Sequence, residues 1–169
     1  MGAKVTFDGM SEYIAHLEAL GKATDKIIGK AIYNGADVVA DAIRHEITQL
    51  QVTDDNYAIW GANKNHPTHG ITEAQQQGLL DGLGISESEY NAGIRNVKIG
   101  FDGYNKVKTK KFPKGQPNIL VARGLESGSS TKHKSPFIRP AVNRARKEAE
   151  AAMATAADAE IKKIINESE

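Results

Sequence analysis

The stretch Gly124-Leu-Glu-Ser-Gly128 sets a serine and a carboxylate between two glycines, a composition that could serve nucleophilic chemistry. A serine held at the apex of a strand-to-helix turn needs the spacing G-x-S-x-G, and Ser127 stands one place too late for it. Such a serine also needs a base oriented by a third group, and no spacing in the chain marks such a set. Ser127 therefore reads as a turn residue, with Gly128 taking a positive φ. His66 and His69, three apart in "HPTH", raise metal binding. Zinc asks for three or four protein ligands, while cysteine is absent and His16, His45 and His133 stand apart in the sequence. The carboxylate pair Asp54-Asp55 has no partner acid in view, and no G-x-x-x-x-G-K-[ST] phosphate loop occurs. The expectation is a protein with no catalytic residue, no metal and no cofactor: not an enzyme.

Charge carries more information. The net charge is +1, yet Gly103 to Lys147 holds 12 Lys and Arg against one acid, Glu126. The rest of the chain is correspondingly acidic. Within the basic segment Lys106, Lys108, Lys110, Lys111 and Lys114 could track a phosphate backbone, with Tyr104 or Phe112 stacking on bases, or could dock on an acidic protein surface. No helix-turn-helix, RRM or KH pattern accompanies them, so any contact with DNA would be non-specific.

These residues must be positioned by a globular body. With 169 residues, 40% of them hydrophobic and 25% charged, the chain reads as one domain over 1–169. No apolar run approaches the roughly 20 residues of a membrane span, and neither a signal peptide nor a membrane partner is expected. "KVTFDG" at 4–9 reads as a short strand, and "MSEYIAHLEALG" as a short helix with Ile14, Leu17 and Leu20 on one stripe, stopped at Gly21. A second helix over 24–50, capped by Thr24 or Asp25, places Ile28, Ile32, Val39, Ile43, Ile47 and Leu50 on one face, with Gly35 and Ala36 allowing close approach. Residues 51–70 read as a long loop. Thr72 and Gln75 form a capping box for a helix over 72–84. "IRNVKIGFDGYNKVKTKKF" reads as a β-hairpin about Asp102-Gly103, its lysine-bearing second arm lying at an edge or in solvent. "ILVARGLES", between Pro117 and Gly128, leans toward a helix. A final helix from about Pro140 to Asn166 carries a seam of small residues at Val142, Ala145, Ala149, Ala152, Ala156 and Ala159, suited to packing on helix 24–50 or on a neighbouring subunit. The fold class is α+β: long N- and C-terminal helices on a small antiparallel sheet or hairpin, with long mobile loops or arms at 51–70 and 104–116.

"GLESGSSTKHKSPFIRPAVNRAR", from Gly124 to Arg146, joins a Glu-x-Gly turn, a variable basic loop and Pro-Phe-Ile-Arg-Pro-Ala at the start of the last helix. Together with the preceding helices and middle hairpin, this resembles the neck and tail-completion proteins of long-tailed bacteriophages. The resemblance implies a structural virion protein of the head–tail neck, a connector-ring subunit that lets a tail join a DNA-filled head. It implies a homo-oligomeric ring, neighbouring neck and tail proteins as partners, a place in the virion, and assembly in the bacterial host cytoplasm. Glu126, Gly128, Pro136, Phe137, Ile138, Arg139 and Pro140 would form the assembly and packing motif. Lys106, Lys108, Lys110, Lys111 and Lys114 would form a basic arm facing a partner ring or channel DNA. Ser127 stands where relatives often have a bulky residue, and 51–93 is longer than a minimal member needs. A small, sequence-independent nucleic-acid-binding protein is the alternative.

Overall fold

The computed structural model describes residues 10–53, 67–91 and 94–167. Its elements are helices α1 (Met10–Thr48), α2 (Glu73–Gly82), α3 (Asn118–Ser127) and α4 (Ile138–Asn166), with strands β1 (Leu83–Ile85), β2 (Glu89–Asn91), β3 (Ile94–Asn96) and β4 (Ile99–Phe101). The class is α+β. The strand expected at 4–9 lies outside the described residues.

α1 and α4 pack as an antiparallel pair. Arg144 reaches Glu46 at 2.7 Å near one end, while Lys26 and Lys30 converge on Glu160 near the other. In the middle Gly35 is buried against Met153, and a Cβ there would lie 2.6 Å from Met153 Cγ. The close approach expected of Gly35 is real, and the seam of α4 faces its own chain. The seam also shifts: Ala141, Ala145, Ala149, Glu160 and Ile164 are the buried positions, whereas Ala159 is exposed. A straight α-helix repeats at 3.6 residues, so a strict 3-4 spacing drifts off the contact line over several turns.

α1 corrects the expected break at Gly21. The helix runs through it, and Thr24 caps nothing, because its Oγ1 donates to the Leu20 carbonyl one turn back at 3.0 Å. A mid-helix glycine costs only about 1 kcal/mol, too little to stop a helix this long. Six residues follow Glu160 in α4 and 16 precede Lys26 in α1, so α1 outruns its partner by roughly ten residues, about 15 Å. Ile14 and Leu17, on that overhang, are 49% and 51% exposed.

The core gathers Ile43 and Ile47 of α1, Ile71, Leu79 of α2, Leu83 of β1, Val121 and Leu125 of α3, and Phe137 and Ala141 at the start of α4. α2 begins with the expected capping box: Thr72 Oγ1 accepts from the Gln75 N–H at 3.1 Å, and Gln75 Oε1 accepts from the Thr72 N–H at 3.1 Å. The helix ends at Gly82, earlier than expected, and Leu83-Gly84-Ile85 becomes β1.

The hairpin about Asp102-Gly103 is not formed. β4 pairs antiparallel with β1, Leu83 opposite Phe101 and Ile85 opposite Ile99, and a second ribbon joins β2 to β3. Leu83 is buried in the core, with Phe101 and Ile99 packed against it. In the loop at 104–116, which follows Gly103, Val107 is the only buried apolar residue, and lysines flank it. Cross-strand apolar pairing decides the partner. Asp102-Gly103 is still a turn, but it leads into a loop. Most of the loop expected at 51–70 lies outside the described residues; at its two ends Val52 bridges Ile71, with the Thr53 N–H donating to Ile71 O and the Ile71 N–H to Gln51 O, each at 2.9 Å.

Candidate assembly surface

α3 buries Asn118, Val121, Ala122 and Leu125 on one face and ends at Gly128, whose φ of 77° only glycine adopts without strain. The turn that follows folds back, the Ser135 N–H donating to Leu125 O at 2.8 Å, and delivers Pro136 and Phe137 to the start of α4. A helix start exposes backbone N–H groups that need acceptors, and Phe137, the N-cap residue, has no side-chain oxygen to offer. Glu126 supplies both of its oxygens instead. Its Oε2 accepts from the N–H groups of Phe137 and Ile138, both at 2.9 Å, and its Oε1 accepts from Arg139 at 3.1 Å. Pro140 has no N–H, and Ala141 donates to Phe137 O at 3.3 Å. Every donor in the first turn is thereby accounted for.

Burial opposes ionisation of Glu126, but the Ile138, Phe137 and Arg139 N–H groups, with the Arg139 charge, outweigh it and hold the carboxyl below its ordinary range. Arg139 acts on Glu126 mainly through its backbone N–H, and Lys132 reaches elsewhere, to the Gly70 carbonyl. Phe137 is 1% exposed, its ring tilted against Phe101 at 6.0 Å between centroids. Ile138 packs partly against the core, while Pro136, Arg139 and Pro140 are exposed. The motif residues thus form one lock: acid from α3, glycine turn, buried aromatic, helix start.

The basic loop is presented differently from a free arm. Lys106, Lys108, Lys110, Lys111 and Lys114 are all exposed, while Asn105 and Val107 between them are buried. Exposed lysine thus alternates with a buried side chain over 105–108, although no strand pairs with it. Amides hold the loop down. The Asn105 N–H donates to Gln116 O at 2.9 Å, Asn105 Oδ1 accepts from Val107 N–H at 3.0 Å, and Asn118 Nδ2 donates to Asp102 O at 2.8 Å. Gln75 Nε2, on α2, donates to Gln116 Oε1 at 2.6 Å. None of these amides was foreseeable as a fastener, because asparagine beside glycine and proline is equally a turn residue. Tyr104 is 69% exposed, and the Lys111 ammonium lies over the Phe112 ring at 5.5 Å.

Ser127 is the exposed last residue of α3, with no hydrogen bond to a histidine among the described residues. His133, expected to stand alone, stacks on His69 with centroids 4.0 Å apart and planes 9° from parallel. Ring nitrogens bind metals in the ring plane, and parallel planes do not converge on one ion, so this pair is a packing contact of two exposed rings. His66 lies outside the described residues. No group of three or more His, Asp or Glu positioned for a metal occurs among the described residues. A groove of about 360 Å³ on α2 includes Glu73, Asp81, Asn105, Lys106 and Asn118, but Asp81 is engaged by Gln77 at 2.7 Å. Among the described residues no helix is long and apolar enough to cross a membrane. No family model matches the chain, and neither a curated protein nor a solved structure does.

Proposed function

We propose that this chain is a structural bacteriophage virion protein of the head–tail neck, a ring subunit that joins the tail to the DNA-filled head. The observation that carries the reading is the Glu126 lock on α4. The residues whose combination resembles neck and tail-completion proteins, from the Glu-x-Gly turn to Pro-Phe-Ile-Arg-Pro, act together as one device. Its effect is to set a 29-residue helix at a fixed angle on the body, which suits a part whose work is geometric. The α1 overhang supports an interaction role as well: Ile14 and Leu17 continue an apolar stripe beyond the end of α4. A closed ring multiplies modest contacts into an effectively permanent joint.

The experiment is deletion of the gene from its phage, with complementation. Full heads and completed tails that fail to join are the expected result, and normal yields of infectious particles overturn the proposal. Negative-stain images of concentrated protein test ring formation directly. A non-specific nucleic-acid-binding role is favoured by one observation, the five exposed lysines beside exposed Tyr104. Binding to any DNA with a steep salt dependence, together with no joining defect, would select it.

A further inference from the structure

Neither the core nor the α4 lock accounts for the cleft at Lys132. This lysine sits on the turn between α3 and α4, and its Nζ donates to the Gly70 carbonyl oxygen at 2.6 Å. An ammonium carries three donors. Among the described residues no second acceptor and no carboxylate meets it, and burial pulls its pKa down to about 8. Lys132 is half-buried, and a cation partly removed from water favours a counter-charge.

Lys132 lines a cavity of about 180 Å³ with Phe112, Gln116, Leu120, Val121 and Thr131. Gln116 gives its oxygen to Gln75, which leaves its amide N–H groups for another acceptor. Leu120 is 47% exposed at the mouth, and the neighbouring Ile119 is 52% exposed. Phe112 comes from the loop that bears the exposed Lys110, Lys111 and Lys114.

This lining suits an occupant that brings negative charge on a short apolar stem. The space falls below the roughly 300–1,000 Å³ of ordinary small-molecule pockets, too small for a nucleotide. The Phe112 ring is also already engaged by Lys111, which leaves less of it for base stacking. A glutamate side chain fits both demands, with methylenes against Phe112, Leu120 and Val121 and oxygens toward Lys132 and Gln116. We propose that this cleft receives a glutamate side chain from an acidic segment of a partner protein, with Lys132 as its counter-charge and the lysine loop as its basic rim. The inference stands on the cleft and needs no role in head–tail joining, so either can fail alone.

The test is calorimetric titration of the full chain with end-blocked hexaglutamate at about 0.15 M salt, where exposed lysines are largely screened. Saturable binding is expected, weakened at least about tenfold in Lys132→Met and unchanged in Lys147→Met on the exposed face of α4. Should Lys132→Met fail to fold, the unmodified protein decides: hexaglutamate should protect Lys132 from acetic anhydride more than it protects Lys147. Absence of saturable binding, a Lys132→Met affinity within about threefold of the original, or no preferential protection overturns the proposal. Stronger protection of Lys132 by oligothymidylate than by hexaglutamate also overturns it, assigning the cleft to phosphate.

Discussion

Replacing Glu126 by glutamine isolates what a charged, double-ended cap contributes. The glutamine carbonyl can still accept from Phe137 and Ile138, but its NH₂ would stand where Oε1 now accepts from Arg139. One donor is left facing another donor, and the negative charge at the helix start is gone. Loss of a cap costs about 0.5–2 kcal/mol, and a charge near a helix N-terminus contributes about 0.3–1 kcal/mol. Because Glu126 is half-buried and water can replace part of what is lost, about 1–2 kcal/mol is expected at pH 7. In a domain of this size that lowers the Tm by about 2–8 °C. Glu126→Asp keeps the charge but is one methylene short, so it should fall in the same range. Thermal unfolding followed by circular dichroism measures both. The folded carboxyl titrates below its ordinary range, so its contribution is complete above the unfolded value and disappears as pH falls through the folded one. The deficit of Glu126→Gln should therefore be full at pH 7 and shrink under acid. A Tm within about 1 °C of the original at pH 7, or a deficit that grows as pH falls, would refute the lock.

Phe137→Ala empties a site that is 1% exposed and should cost about 3–5 kcal/mol, a Tm loss of more than about 6 °C, against little change for a surface alanine substitution. Glu160 is held at about pKa 2, first by hydrogen bonds from Lys26 and Lys30, so its stabilisation is present above the ordinary carboxylate range and lost as pH falls toward that value. Glu160→Gln should lower the Tm at pH 7 and abolish that part of the acid-induced loss; parallel Tm-versus-pH curves would contradict it. Replacing Lys106, Lys108 and Lys110 with serine should leave the Tm nearly unchanged, because all three are exposed, yet weaken association with a partner ring. Unchanged ring association with lost DNA binding would assign the loop to nucleic acid instead.

Signals that depend on neighbours in the chain were readable in advance. The capping box needs only Thr72 and Gln75 three residues apart, and it forms as expected. The limits of α3, from Pro117 to Gly128, follow from one missing N–H and one positive φ. Glu126 is conspicuous in the sequence as the single acid in a basic segment. What failed was long-range. β4 has an apolar face that suits many partners, and only the assembled core shows that β1 covers it better than the lysine-bearing chain after Gly103. The burial of Asn105, and its bond to Asn118, depends on Gly78 of α2 passing close by, which no local spacing announces. The break expected at Gly21 failed for the opposite reason: a local propensity of about 1 kcal/mol was outweighed by a long helix.

The buried amides also change how the basic surface must work. Arms that order only on docking lose conformational freedom at that moment, at about 1–2 kcal/mol for each residue fixed. The loop at 104–116 has already met most of that cost. Asn105 and Val107 are buried, Gln116 is tied to α2, and Thr109 and Phe112 exchange backbone hydrogen bonds at 3.1 and 3.0 Å. Its lysines sit on a shaped platform, and binding need restrict only their side chains. A preorganised charged face favours one complementary surface over many, since a rigid array of cations rewards matching spacing. A mobile lysine tail would accept any polyanion. The amide fastening of this loop therefore argues for a shaped partner, and an acidic protein face satisfies that demand better than the uniform backbone of DNA.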